Sequence, residues 1–263
     1  MRALEIKGVL LGEGRPKTIV SVMERTPKAL AEAAVRAADA GADIVEWRVD
    51  HMAEGDLTDL VGQAAAALSS SIPATPLIAC VRTRGQGGNV DLTRDDYVEL
   101  CHQLVETGAI DILDVEFSCG NEAGLELVEH AHEHGVRALL SHHDFERTPQ
   151  TTEMVEFLLS MAELDADIVK LAVWATAPED ACRLMEVAAC VRRQTDVPVI
   201  AIAMGAHGTI TRVACEAFGG AATFCALDRP SAPGQVGLAE TRTLIQELGD
   251  ILDMDGARAG EGA

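Results

Sequence analysis

The sequence has few aromatic residues and no long apolar segment. Its 263 residues include two Trp, one Tyr and five Phe, although 48% are hydrophobic. Aliphatic side chains must therefore build the core, and a chain of this length buries one large core or two small ones, which excludes general disorder. Because no segment has the roughly 20 apolar residues of a membrane span, and the first residues have no signal-peptide pattern, we expect a cytoplasmic protein without a membrane partner.

Basic residues, and lysines above all, are scarce. The chain has 21 basic and 42 acidic residues, which gives a formal net charge of −21. No basic segment offsets this charge, so we expect no nucleic-acid partner. Only four of the 21 basic residues are lysines, which leaves 17 arginines, and Lys170 is the only lysine after Lys28.

Sequence patterns for disulfides, metals and nucleotide cofactors are also missing. The seven cysteines are odd in number and include no C-x-x-C pair, which indicates reduced packing residues. The glycine-rich segments 85–89 and 204–209 match neither phosphate-binding loops nor dinucleotide-binding turns. The HAHEH segment at 130–134 places two histidines on one helix face but is more typical of a polar outer surface. We expect no cofactor and no metal.

Eight short aliphatic runs, spaced about 25 to 35 residues apart, alternate with alanine-rich segments of helical periodicity. The runs are 18–23, 43–49, 76–82, 111–117, 136–143, 167–174, 198–204 and 222–227. This pattern predicts the α/β class and a (β/α)8 TIM barrel, with an open doubly wound sheet as the alternative. We expect one catalytic domain over 1–252, a flexible tail over 253–263, and an N-terminal β-hairpin over 3–14 that turns near Gly12–Gly14.

Polar residues at the ends of the predicted strands are the candidates for chemistry, because barrel enzymes react at that edge. Lys170 interrupts the apolar run 168–173, where an unpaired ammonium is costly to bury. A lysine in such a place is a candidate amine nucleophile toward a carbonyl. A structural ion pair with Glu46, Asp114 or Glu116 is the alternative, and the scarcity of lysine favours the nucleophile.

The neighbouring polar residues suggest proton transfer and anion binding. His143 ends the fifth run, next to the strand of Lys170, where a histidine can move protons at neutral pH; a structural role for it is the alternative. Glu46, Arg48 and Asp50 share one face of their strand and should point into the barrel mouth. Arg48, Arg82 and Arg212 predict a small carboxylate substrate, although any one of them can be a surface residue. Residues 230–235 are a candidate lid.

The motifs in combination resemble the type I 3-dehydroquinate dehydratase family over roughly residues 5–250. They are Glu46-Trp47-Arg48-Val49-Asp50, Arg82-Thr83 with Gly87-Gly88, Ser141 to Pro149, Lys170-Leu171-Ala172-Val173, Gly208 to Arg212, and Ser231 to Gln235. The resemblance implies a TIM barrel, usually a homodimer, that dehydrates 3-dehydroquinate to 3-dehydroshikimate in the shikimate pathway without metal or organic cofactor. It assigns the Schiff base to Lys170 and general acid/base catalysis to His143. The expected substrate contacts are Ser21, Glu46, Trp47, Arg48, Arg82, Arg212, Ser231 and Gln235, with the substrate carboxylate on Arg212.

Gln86 departs from the family pattern, which has a glutamate before Gly-Gly to orient the histidine. An amide can still hold an imidazole by a hydrogen bond, but it gives no charge support, so the pKa of His143 should be lower. We expect an active enzyme with an altered pH profile and count Gln86 among the catalytic residues. A class I Schiff-base aldolase and a non-catalytic ligand-binding relative are the alternative functions.

Overall fold

The chain is built around one eight-stranded parallel sheet in which the order of strands in space follows the order in the sequence. A computed structural model describes residues 2–52 and 57–260, apart from the side chains of 57–59 and 255–260. The barrel strands are β3 (Lys17–Val22), β4 (Ile44–Arg48), β5 (Leu77–Cys80), β6 (Ile112–Glu116), β7 (Arg137–Asp144), β8 (Ile168–Trp174), β9 (Val199–Met204) and β10 (Ala222–Cys225). Each of the eight aliphatic runs overlaps one of these strands, and β3 and β7 extend one residue beyond their runs.

Helices follow the strands and cover the outside of the sheet. They are α1 (Pro27–Asp39), α2 (Leu57–Ser71), α3 (Arg94–Glu106), α4 (Asn121–Glu133), α5 (Thr151–Glu163), α6 (Pro178–Val191), α7 (Ile210–Val213) and α8 (Leu238–Gly260). Helix α8 therefore continues to Gly260, into the segment assigned above to a tail, and the flexibility of that tail stays a prediction. None of the helices in the described ranges is both long and apolar enough to span a bilayer.

The sheet closes into a nearly complete barrel, which confirms the predicted fold and excludes the open sheet. Strand β10 pairs in parallel with β3, so the last strand lies beside the first. The remaining seam, between β9 and β10, is bridged by a 2.8 Å hydrogen bond from the Ala221 amide to the Val199 carbonyl. All eight carboxyl ends consequently meet at one mouth.

The amino-terminal end of the barrel is filled with aliphatic side chains and closed by the hairpin. Inward residues of successive strands share one apolar cluster with the hairpin: Ile19, Ile44, Ile78, Ile112, Leu139, Ile168, Ile200, Leu4, Ile6 and Leu11. The hairpin pairs β1 (Leu4–Ile6) with β2 (Val9–Leu11), and its turn is at Lys7–Gly8. Both turn residues have positive φ, the geometry of a tight two-residue hairpin, so the turn predicted near Gly12–Gly14 was misplaced. Polar chemistry is left to the other end.

Three aspartates that immediately precede barrel strands stabilise the starts of neighbouring strands. Asp43 accepts a hydrogen bond from the Thr18 amide at 2.7 Å, and Asp111 accepts one from the Leu77 amide at 2.8 Å. Asp167 does the same for Ala138 at 2.9 Å. Each carboxylate accepts a hydrogen bond from a main-chain amide at the start of a strand. It thereby helps to fix the register between adjacent strands.

Candidate active site

A cavity opens at the carboxyl ends of the strands. It brings together side chains from β4, β7, β8, β9 and β10 and from the loops that follow β5, β7, β9 and β10. Predicted residues that line it are Glu46, Arg48, Arg82, Gln86, His143, Lys170, Arg212, Ser231 and Gln235. Residues up to 189 positions apart in the sequence, Glu46 and Gln235, thus face one volume, because parallel strands in a barrel all end at the same rim.

Trp47 does not line this cavity, so its substrate contact stays a prediction that this structure does not support. On β4, Glu46 and Arg48 face the barrel interior, and the alternation of a strand turns Trp47 to the opposite side. There its side chain is fully buried in the apolar layer between strands and helices. Its indole nitrogen has no hydrogen-bond partner among the described residues, so Trp47 contributes packing.

Lys170 lies in the barrel with only 4% of its surface exposed. Its Nζ is 3.2 Å from Oδ2 of Asp114 and 3.8 Å from Oε1 of Glu46, and it lies 4.3 Å from the centre of the Phe224 ring. The ion pair considered as the alternative is therefore present. It does not exclude a nucleophile, because the amine also faces the cavity.

Arg82 is held as part of the wall. It donates to Asp114 at 2.8 Å, to Glu116 at 3.1 Å and to the Ser141 hydroxyl at 3.0 Å. Glu116 also accepts from the amide and the hydroxyl of Thr83. Arg82 holds Asp114 in place, and Asp114 holds Lys170, so the guanidinium fixes the position of the amine.

Arg48 is also paired with a carboxylate. Its Nε and Nη2 donate to the two oxygens of Asp50 at 2.7 and 2.8 Å, a forked arrangement that fixes the guanidinium plane. Asp50 lies in a short 3-10 helix after β4, and its side chain is fully buried. The sequence predicts that Asp50 points into the mouth alongside Arg48. In the structure Asp50 forms an ion pair with Arg48 and does not line the cavity.

Arg212 differs from the other two arginines because no described carboxylate pairs with it. It is 1% exposed and donates only to the main-chain carbonyls of Pro233 at 3.1 Å and Phe224 at 3.4 Å. Its Nε is buried without a partner. Burial lowers the pKa of Arg212 to about 10. A buried cation that faces a cavity without a counterion could bind an organic anion.

His143 lies at the rim with a neutral imidazole. Burial of the ring, together with Arg82, Lys170 and Arg48, lowers its pKa well below the usual value for histidine. Gln86 accepts a 2.7 Å hydrogen bond from the His143 main-chain amide, whereas Nδ1 of the ring has no partner among the described residues. The amide of Gln86 therefore holds the backbone of His143 and not the imidazole, which differs from the contact expected from the sequence.

The 230–235 loop is joined to the site by a chain of hydroxyl contacts. Gln235 donates to the Ser231 hydroxyl at 2.9 Å, and Ser231 lies 3.1 Å from the hydroxyl of Ser21. Ser21 in turn donates to Glu46. Ser21 is absent from the cavity wall, so in this structure its contact is with the loop and with Glu46.

One described group has the spacing of a metal site: Glu46, Cys80 and Asp114 place donor atoms within 4.8 Å of one another. Its atoms are already occupied, since Lys170 contacts both carboxylates and Arg82 donates to the Cys80 sulfur at 3.1 Å. Burial raises the pKa of Cys80 well above its usual value, which keeps the thiol protonated. These neighbours favour cationic side chains over a metal ion at this position.

Sequence reasoning missed the apolar part of the wall, which consists of Phe145, Phe224, Ala172, Ile202, Met204 and Ala232. Phe145 stacks against His143, with 6.3 Å between ring centres. Its place in the loop after the fifth run was a usable signal, because loops at that end of a barrel carry the site. His142 faces the other side of β7 and stacks on Phe157 at 4.6 Å, which gives it a packing role.

Comparison with known proteins shows the family. A family profile described as type I 3-dehydroquinase matches residues 18–251. The 3-dehydroquinate dehydratase of Salmonella agona is 37% identical over 249 residues, which cover 94% of this chain and 99% of that protein. The type I enzyme from Clostridium difficile superposes with a TM-score of 0.91 at 35% identity, covering 95% of this chain and 98% of its own. The dehydratase from Geobacillus kaustophilus superposes with a TM-score of 0.91 at 28% identity, covering 94% of this chain and 96% of its own. The chain belongs to the type I 3-dehydroquinase family.

Proposed function

We propose that this protein dehydrates 3-dehydroquinate to 3-dehydroshikimate, in the shikimate pathway, through an imine formed on Lys170. The observation that carries the proposal is the composition of one cavity: a buried amine, a neutral imidazole and a buried guanidinium without a carboxylate partner. A substrate with a ketone, an acidic α-hydrogen and a carboxylate meets all three groups. Family membership supports the same reaction.

The carboxylate of the substrate is the counterion that Arg212 lacks. Two guanidinium nitrogens already donate to carbonyls at 3.1 and 3.4 Å, and Nε is without a partner. A carboxylate there would stabilise the charged guanidinium and orient the ring. Ser231 and Gln235, which line the cavity on the following loop, would close over the bound ring.

Imine formation uses the amine of Lys170 as the nucleophile. The Lys170 ammonium first gives up one proton, and the free amine attacks the ring ketone to form a C–N bond. That proton returns as the ketone oxygen leaves as water, which gives a protonated imine. The imine carries the same positive charge as the ammonium that it replaces. Asp114 and Glu46, at 3.2 and 3.8 Å from Nζ, would therefore stabilise both species.

Elimination then uses His143 twice. The neutral imidazole removes the proton on the carbon next to the imine, and the electron pair moves into the C–N system to form an enamine. As the electrons return, the C–O bond to the β-hydroxyl breaks, and His143 delivers its proton to the leaving oxygen. Water then hydrolyses the imine and restores Lys170, so that one molecule of water is lost overall. The cations that lower the pKa of His143 make its imidazolium a strong acid for the second transfer.

Borohydride reduction in the presence of 3-dehydroquinate tests the imine. We expect a stable adduct on the peptide that contains Lys170, and no adduct in Lys170→Met. Lys28→Met is the matched control, because Lys28 is exposed on α1 with its side chain 89% accessible. The rise in ultraviolet absorbance of the conjugated enone product measures turnover. An adduct only with aldol substrates, or turnover that survives in Lys170→Met, would contradict the proposal.

We also retain two expectations from the resemblance, a homodimer and a cytoplasmic location. Sedimentation of the purified protein tests the first. Fractionation of the source cells tests the second.

A further inference from the structure

The loop after β5, residues 84–90, meets the end of β4 at the buried carboxylate of Asp50. The backbone amide of Asn89 and its side-chain Nδ2 both donate to Oδ2 of Asp50, each at 3.1 Å. The same carboxylate holds Arg48 in the forked pair described above. Asp50 thus joins a cavity-lining arginine to a loop that carries another cavity residue, Gln86.

Asn89 makes one more contact, which determines the protonation state of His51. Its Nδ2 lies 3.0 Å from Nε2 of His51. Because Asp50 is an acceptor, the Asn89 amide must present its NH2 group, and that group has one hydrogen for Asp50 and one for His51. Nε2 of His51 is therefore the acceptor, so the ring is neutral and carries its proton on Nδ1.

We propose that Asn89 is a positioning residue for substrate binding: by joining Asp50 to neutral His51, it fixes the guanidinium of Arg48 and the 84–90 loop at the cavity mouth. The inference rests on the proposed function, because it requires that Arg48 bind the substrate. Neither Asn89 nor His51 lines the cavity, so both act through Asp50 and Arg48.

The contact is sensitive to acid. Burial lowers the pKa of His51; Arg48 and Arg229 lower it further, while Asp50 and Glu24 oppose them. The ring is consequently neutral at pH 7 and accepts from Asn89. When the pH falls through this lowered pKa, Nε2 gains a proton and faces the NH2 group of Asn89 as a second donor. The pair then separates, and protonated His51 competes for Asp50, 3.9 Å away.

Asn89→Asp is the first test, since it keeps the shape of the side chain and the backbone donor but replaces the side-chain NH2 group by a carboxylate facing Asp50. We expect KM for 3-dehydroquinate to rise at least about tenfold, while kcat stays within about twofold of the wild type. This pattern is expected when a variant loses contacts that stabilise the bound substrate and the transition state equally. Asn121→Asp is the matched control, because Asn121 is exposed at the first turn of α4. Asn89→Ala, which keeps the backbone donor, should give a smaller rise in KM.

His51→Gln is the second test and does not depend on the stability of the first variant. The glutamine oxygen can accept from Asn89 but does not gain a proton between pH 5 and 8. At pH 7.5 we expect the KM of His51→Gln to equal that of the wild type. On acidification we expect KM to rise in the wild type and to stay constant in His51→Gln. His134→Gln, on the exposed end of α4, should retain that rise.

The outcomes separate this inference from the proposed function. If the wild-type protein forms no enone from 3-dehydroquinate, the proposed function fails. If the wild type is active but Asn89→Asp leaves KM within twofold, or lowers kcat alone, the positioning role fails and the function stands. An unchanged acid-side rise of KM in His51→Gln overturns the role of His51.

Discussion

Gln86→Glu is the substitution that most directly tests how the site controls the proton affinity of His143. Gln86 is 6% exposed, and its side-chain oxygen already accepts from the main-chain amide of His143 at 2.7 Å. Glutamate has the same shape and can keep this hydrogen bond, so the substitution adds one negative charge with little change in packing. Burial is the largest cause of the lowered pKa of the imidazole, and Arg82, Lys170, Arg48 and His142 lower it further.

The size of the effect follows from Coulomb's law. A carboxylate at residue 86 stands roughly 5 Å from the ring, and at an effective dielectric constant of about 20 one charge stabilises imidazolium by about 3 kcal/mol, or about 2 pKa units. Partial neutralisation by the nearby cations reduces this to about 1 to 2 units. The base must be neutral to remove a proton, so a raised pKa moves the loss of activity on acidification to higher pH.

The assay is the initial rate of enone formation between pH 5 and 9, analysed as kcat and as kcat/KM. We expect the acid limb of kcat/KM to move up by about 1 to 2 pH units in Gln86→Glu. Gln63→Glu, on the exposed face of α2, adds the same charge far from the site and should leave the limb in place. An acid limb that stays unchanged, or moves to lower pH, would refute the electrostatic explanation of the His143 pKa.

Two further substitutions test the assignments of Arg212 and Trp47. Arg212→Met should raise KM for 3-dehydroquinate at least about 30-fold by removing the carboxylate partner, with Tm within a few degrees of the wild type because no ion pair is broken; near-normal KM would place the carboxylate elsewhere. Trp47→Ala should lower the free energy of unfolding by about 3 to 5 kcal/mol, measured by urea titration, with KM unchanged. Trp47→Phe, which keeps an aromatic ring, loses part of the side-chain volume and breaks no hydrogen bond to a described residue, should cost less than half as much, and a rise in KM at normal stability would support a substrate contact of Trp47.

The strands were predictable because the local sequence carries two kinds of signal for them. An aliphatic run identifies each strand, and at β4, β6 and β8 a preceding aspartate also caps the neighbouring strand. The hairpin turn was harder, since it uses Lys7 at φ +47°, and a lysine gives no signal for left-handed backbone. Glycine at 12 and 14 gave the more conspicuous but wrong indication.

In the site, residue types were predictable and partners were not. The two-residue period of a strand already places Trp47 on the opposite face of β4 from Glu46 and Arg48. This placement argues against the substrate contact that the resemblance implies for Trp47. Which arginine lacks a carboxylate depends on contacts across the barrel, such as the 2.8 Å pair between Arg82 and Asp114, 32 residues apart. No periodicity encodes that pairing. The same holds for Gln86, whose partner on β7 lies 57 positions away.

Pairing, rather than net charge, explains how a chain of charge −21 forms a site for an anion. The cations are Arg48, Arg82, Lys170 and Arg212, and the carboxylates in contact with the first three are Asp50, Glu116, Asp114 and Glu46. These four carboxylates allow three cations to be buried, and none of them contacts Arg212. Because the ammonium and the protonated imine carry equal charge, Asp114 and Glu46 would keep the imine protonated once it forms, and a protonated imine is the stronger electron acceptor. The acidic residues beneath Lys170 thus support the proposed chemistry, while Arg212, which has no carboxylate partner among the described residues, would bind the substrate.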